Sequence, residues 1–167
     1  MPQIPWNIYP RPQLQRNSFF CLNGEWEFHD ATSLIINGSA QTSSDNVLPA
    51  STAMLPVIPD KFPGRIQVPF APQSALSSVT NTKRSPGVAS SSAFELIFYR
   101  RKVSIPKEFA GKRILLHFGA VDQIADVYWN GIPLATHEGG YLPFTVELTT
   151  YLDPTVTENE LVLRIKM

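Results

Sequence analysis

Fifteen prolines are spread through 167 residues, and they limit what this chain can fold into. A proline lacks the backbone N–H, clashes with the preceding helical turn and cannot pair inside a central strand. The spread argues against a helical bundle and for short strands joined by rigid loops. The segments between the prolines agree, because their apolar residues recur at every second position rather than at helical spacing.

Taken in order, residues 1–15 hold Pro2, Pro5, Pro10 and Pro12 and read as an extended arm, with Trp6 and Tyr9 needing a surface elsewhere. At residues 19–29, FFCLNGEWEFH, Asn23-Gly24 is a turn signal. A strand pair or a strand with a corner is expected there, with Trp26 and Phe28 in the core and Glu25 and Glu27 outside. Residues 31–63 read as a long irregular connection, mobile or pinned to a neighbouring surface. Ile66, Val68 and Phe70 alternate in a short strand that becomes a loop at Pro69. Residues 77–93 are a second irregular loop, with Lys83-Arg84-Ser85-Pro86-Gly87 as a surface turn.

The second half is more regular. Residues 94–105, FELIFYRRKVSI, form a strong aromatic and β-branched strand closed by Pro106. Residues 113–121 put Ile114, Leu116 and Phe118 on one face and Leu115 and His117 on the other. The strand ending at Trp129 meets Asn130-Gly131, the preferred pair for a type I′ hairpin, and returns through residues 132–135. A glycine corner, HEGGY at 137–141, follows, after which Tyr141, Leu142 and Phe144 are expected to re-enter the core. Leu161, Leu163, Ile165 and Met167 alternate with Val162, Arg164 and Lys166 in the last strand. About eight short strands without helical periodicity make an all-β, antiparallel β-sandwich. Patterning alone leaves a jelly roll and an immunoglobulin-like sandwich both open.

Composition excludes several functions. Lys plus Arg and Asp plus Glu both number 14, so no basic field points to nucleic acid or an anionic membrane. No run reaches the roughly 18 apolar residues of a spanning helix. The first residues lack the apolar core of a secretory leader, and the single Cys21 cannot form an intrachain disulfide; a cytoplasmic location is expected. The sequon Asn37-Gly38-Ser39 reads as chance. His29, His117 and His137 lack metal-ligand spacing, and Gly139-Gly140 lacks the Lys-Ser/Thr and helix of a phosphate loop. No metal and no cofactor are expected.

In order and spacing, LNGEWEF, IQVPFAPQS, FYRRKVSIP, GKRILLHFGAVD, ADVYWNG, HEGGYLPFTVEL and ELVLRI resemble the N-terminal domain of glycoside hydrolase family 2, the β-galactosidase and β-glucuronidase group. The block at 122–148 is the most specific. The resemblance implies a jelly roll of the galactose-binding-domain-like type, followed by immunoglobulin-like and barrel domains of the same chain. In the family the barrel carries the acid/base and nucleophilic glutamates, so no catalytic residue is carried over to residues 1–167. What the resemblance implies is a scaffold that packs on the barrel, shapes the substrate entrance and, in some members, helps build a homo-oligomer. A stand-alone carbohydrate-binding module and a structural interaction domain are the alternatives.

Glycoside hydrolysis with retention needs two carboxyls about 5 Å apart across the scissile bond. The pairs Asp122/Asp126, Glu25/Glu27 and Glu158/Glu160 lack an adjoining aromatic and polar cluster for a sugar. At the corner, His137, Glu138 and Tyr141 would offer polar groups and a ring to a carbohydrate. The same corner also reads as a structural device, with glycines for positive φ or close approach, and this reading is favoured. Trp129, inside a hairpin, reads as core.

Overall fold

The computed structural model describes residues 6, 16, 18–32, 58–79 and 94–167. The arm apart from Trp6, the sequon, most of the 31–63 connection and most of the 77–93 loop lie outside the described residues. Eight strands occur among those described: β1 (Gly24–Asp30), β2 (Gly64–Val68), β3 (Leu96–Val103), β4 (Leu115–Phe118), β5 (Ile124–Trp129), β6 (Ile132–Glu138), β7 (Phe144–Glu147) and β8 (Asn159–Lys166). They form a six-stranded sheet in the order β2-β1-β3-β8-β5-β6 and a two-stranded sheet, β4-β7. Every pairing is antiparallel. The molecule is the all-β sandwich that the period-two pattern predicts.

Alternation explains which side chains meet. On the inner face of the large sheet, Trp26 and Phe28 of β1 join Ile97 and Tyr99 of β3, Leu161, Leu163 and Ile165 of β8, and Val127 and Trp129 of β5. Ile114 and Leu116 beside and within β4, and Val146 and Leu148 within and beside β7, close the core from the small sheet. Phe28 meets Tyr99 edge to face, with centroids 5.6 Å apart, a geometry that favours the ring quadrupoles. The expected hairpin at Asn130-Gly131 is present, with φ of 50° and 79° at its two central residues.

Three local features decide between or sharpen the sequence expectations. First, β1 begins at Gly24, so Asn23-Gly24 introduces a strand rather than joining two. The carbonyls of Leu22 and Asn23 accept from Arg101 Nη1 at 2.7 and 3.1 Å, and Leu22 O also accepts from Trp26 Nε1. Those carbonyls are thus engaged by side chains. Second, the outer face of the large sheet is not simply polar. Leu96, Phe98, Tyr128 and Val162 are buried there with Ala31 and Phe62, and Ile58 packs against them. Part of the irregular connection is therefore pinned to its own sheet. The Arg100 guanidinium lies 4.1 Å above the Phe62 ring, and His29 Nδ1 donates to Lys61 O at 3.0 Å. Third, Trp6 of the arm is 64% exposed yet reaches Phe70, with ring centroids 5.3 Å apart.

Beyond the apolar cluster, the outer face carries ion pairs. Arg65 lies 3.4 Å from Glu27, Arg100 bonds Glu27, and Lys102 bonds Glu160 at 3.1 Å. On the small sheet Arg113 donates twice to Glu147, at 2.9 and 2.7 Å. The hydrogen bond from Arg100 holds the Glu27 carboxyl below its ordinary 4.5, and the bond from Arg113 lowers Glu147 likewise.

Two outcomes are expected. Trp129, 1% exposed, fills the core while its buried Nε1 meets no acceptor among the described residues. In denaturant titrations Trp129→Ala should destabilise by about 3–5 kcal/mol. Trp129→Phe should cost less, because it also removes an unpaired donor whose burial costs about 1–3 kcal/mol. The second outcome concerns acid. Carboxyls with lowered folded pKa stabilise the fold above their unfolded value of 4.5, and that contribution is lost as pH falls through the folded pKa. Thermal melts should therefore show Tm dropping on acidification in that window, and Glu27→Gln should blunt the drop.

Candidate functional site

The glycine corner sits where β5 begins and β6 ends. Ile124 pairs with Glu138 and Ala125 with His137, and Gly139 N donates to Gln123 O at 2.8 Å. Gly139 has φ of 114°, a conformation that L side chains rarely adopt. Gly140 suits its position for another reason: a Cβ there would displace the Asp122 side chain. The two glycines thus hold one backbone turned and let a second segment close over it.

His137 is turned towards the small sheet. Its ring stacks on Phe144 at 4.3 Å with a 15° tilt, and Phe144 stacks on Phe118 at 4.5 Å and 16°. Phe144 belongs to β7 and Phe118 to β4, so three rings join β6, the edge of the large sheet, to the small one. His137 Nε2 lies 3.1 Å from Gly139 O. A carbonyl only accepts, so Nε2 carries the proton in this contact. Successive strand residues point to opposite faces, and Glu138 is exposed on the other side of β6 from His137.

The next residues overturn one expectation. Tyr141 is 94% exposed and Leu142 68% exposed, so neither re-enters the core. Phe144 alone of the three does, packing against the inner cluster. With Gly139 and Gly140 fixing the backbone, the chain spans from one sheet to the other before an inward position recurs. Neither the ring stack nor the contact of Asp122 with Gly140 follows from the sequence pattern by itself. The only sequence signal for the stack is that Phe118 and Phe144 both fall on inward positions of their strands.

Most of the carboxylates in the candidate pairs are engaged in structural contacts. Asp126 accepts from Thr136 Oγ1 at 2.5 Å and from Arg164 Nε at 2.6 Å. Glu25 and Glu27 share Arg65, and Glu160 is bonded to Lys102. Asp122 lies over Gly140, and Glu158 is exposed. Trp129 belongs to the core, with no ring face presented to solvent. Among the described residues no group of three or more His, Cys, Asp or Glu is placed to hold a metal ion.

Comparison with known proteins places this geometry. The chain is 41% identical over 56 residues to a β-glucuronidase from Formosa agariphila, covering 34% of this chain and 6% of that protein. It is 32% identical over 68 residues to a β-galactosidase from Thermoanaerobacter pseudethanolicus, covering 41% and 9%. Among solved structures, Faecalibacterium prausnitzii β-glucuronidase superposes with a TM-score of 0.63 at 26% identity, over 95% of this chain and 22% of that one. Ruminococcus gnavus β-glucuronidase gives 0.56 at 26% identity, over 87% and 20%. The chain thus spans less than a quarter of the length of each of these four proteins. The family described as "Glycosyl hydrolase 2 galactose-binding domain-like" matches residues 50–167. With more than half of its residues in that match, the chain belongs to the galactose-binding-like domain family of glycosyl hydrolase 2.

Proposed function

We propose that this domain is the non-catalytic N-terminal sandwich of a glycoside hydrolase of the β-glucuronidase or β-galactosidase type. It packs against a downstream catalytic barrel, beyond an immunoglobulin-like domain, and shapes the entrance to the substrate site. The observation that carries this reading is the corner: a backbone locked by Gly139, Gly140 and Asp122 that holds Tyr141 and Leu142 out in solvent. Large apolar side chains presented on a rigid turn mark a surface that meets something else. Engagement of Glu27, Asp126 and Glu160 in ion pairs adds support, since such groups are committed to the scaffold.

Sugar contact at the corner belongs to the same reading. The Tyr141 ring is free to stack on a pyranose, and the exposed Glu138 carboxylate accepts from sugar hydroxyls. His137 backs the corner, and its ring is covered on one side by Phe144. A second reading, a stand-alone carbohydrate-binding module, draws on the 94% exposure of Tyr141.

Residues 1–167 alone should hydrolyse neither aryl β-glucuronides nor aryl β-galactosides. Turnover that disappears in Asp126→Asn or Glu27→Gln would overturn the proposal. Reading the gene beyond codon 167 should reveal a barrel with an Asn-Glu pair. In that longer enzyme, Tyr141→Ala should raise KM about threefold to tenfold with little change in kcat, as expected for loss of about 1 kcal/mol of ring contact. Calorimetric titration of the domain with galactosides, glucuronides and mannosides decides the second reading: millimolar binding supports it, and absence of heat removes it.

A further inference from the structure

The hairpin joining β5 to β6 turns at Asn130-Gly131, a sequence that is chemically labile in flexible chains. A glycine after asparagine leaves its backbone nitrogen unshielded by a Cβ. That nitrogen can attack the side-chain amide carbon, forming a bond from Gly131 N to Asn130 Cγ. The Cγ–Nδ2 bond breaks and ammonia leaves with the proton from Gly131. Water then opens the succinimide at either carbonyl, giving aspartate or isoaspartate, with no change of oxidation state. Gly131 is open to solvent, with nothing within 4 Å of the place a Cβ would occupy, so sterics do not protect the turn.

The side chain of Asn130 is held away from that reaction. Its Nδ2 donates to Asn159 Oδ1 at 2.8 Å, and its Oδ1 accepts from Glu160 N at 2.7 Å. The backbone joins in, with Asn130 N donating to Glu160 O at 2.8 Å. Asn159 is itself only 2% exposed, one of two buried polar residues among those described. The amide is thus aimed at the first residues of β8, and its carbon can reach Gly131 N only after both side-chain bonds break. Conversion to aspartate would remove the donor to Asn159, and isoaspartate would lengthen a two-residue turn by one backbone atom. Either product would weaken the junction of the β5–β6 hairpin with β8.

We propose that Asn130-Gly131 is a latent deamidation site, held closed by the buried Asn159 and opened when the start of β8 detaches. The test is peptide mapping by mass spectrometry of the full-length protein carrying this domain, incubated in mildly alkaline buffer, folded and in urea. Asn23-Gly24 serves as an internal standard for the urea rate. Asn130 should convert at about the rate of Asn23 in urea and much more slowly when folded. Folded Asn159→Ala, checked by circular dichroism, should convert about tenfold faster than the unmutated protein, as expected when hydrogen bonds of ordinary net strength no longer hold the closed state. Equal rates at Asn130 in folded and unfolded protein would overturn the proposal, as would a folded Asn159→Ala that converts no faster. Should Asn159→Ala not fold, Asn159→Asp keeps the acceptor oxygen. Conversion near the unmutated rate then supports the proposal, and conversion near the urea rate overturns it.

Discussion

The structure depends on the pairing of β3 with β8. Eight residues of each strand match in register, from Leu96 against Lys166 to Val103 against Asn159. Their inner faces supply Ile97, Tyr99 and Val103 on one side and Leu161, Leu163 and Ile165 on the other. β1 then adds to β3 and β5 to β8, and each outer neighbour extends the same apolar surface. The two strands are far apart in the chain, at residues 96–103 and 159–166, with β4 to β7 between them. Such long-range antiparallel pairing makes the fold non-local and its core one cooperative unit.

The small sheet is a lid on this platform, and the glycine corner is its hinge pin. β4 and β7 contribute only four residues each, too little for independent stability. The Phe118–Phe144–His137 stack ties them to the edge strand β6, and Gly139 and Gly140 let the chain pass between sheets over Asp122. The same construction that closes the sandwich leaves Tyr141 and Leu142 outside it. Packing and exposure are therefore divided within one short segment: His137 faces in, while Glu138, Tyr141 and Leu142 face out.

The inner face was legible from sequence because alternation states it directly: Trp26 and Phe28, Ile114 and Leu116, and Leu161, Leu163 and Ile165 all lie where period two puts them. The type I′ turn was legible because positive φ at two successive residues leaves few choices besides Asn-Gly. The burial of Phe98 and Val162 was not, because their cover is Phe62, far away in the chain and within a stretch without periodicity. Asn23-Gly24 left a strand pair and a corner both open, because the dipeptide reports backbone permissiveness, while the contacts of Arg101 accompany the corner. Tyr141 and Leu142 misled because apolar character suggests burial, whereas their positions follow from the path between sheets. The candidate site was legible as residues, through its glycines, but the ring stack was not, since it joins strands from two different sheets.

Burial of both faces at residues 96–99 has a consequence for how the strands find their alignment. Leu96, Ile97, Phe98 and Tyr99 are all buried, so a slip by one residue there would exchange one apolar side chain for another. Apolar patterning specifies alignment only where the two faces differ. Over the first half of β3 that distinction is missing, and the second half must supply it. There Arg100 meets Glu27, Arg101 meets the carbonyls of Leu22 and Asn23, and Lys102 meets Glu160. A slip by one would turn Arg100 and Lys102 into the core and strand the acidic partners outside. The charges add little energy at the surface, but they serve as the index marks that let a strand apolar on both faces over its first half seat in one position only.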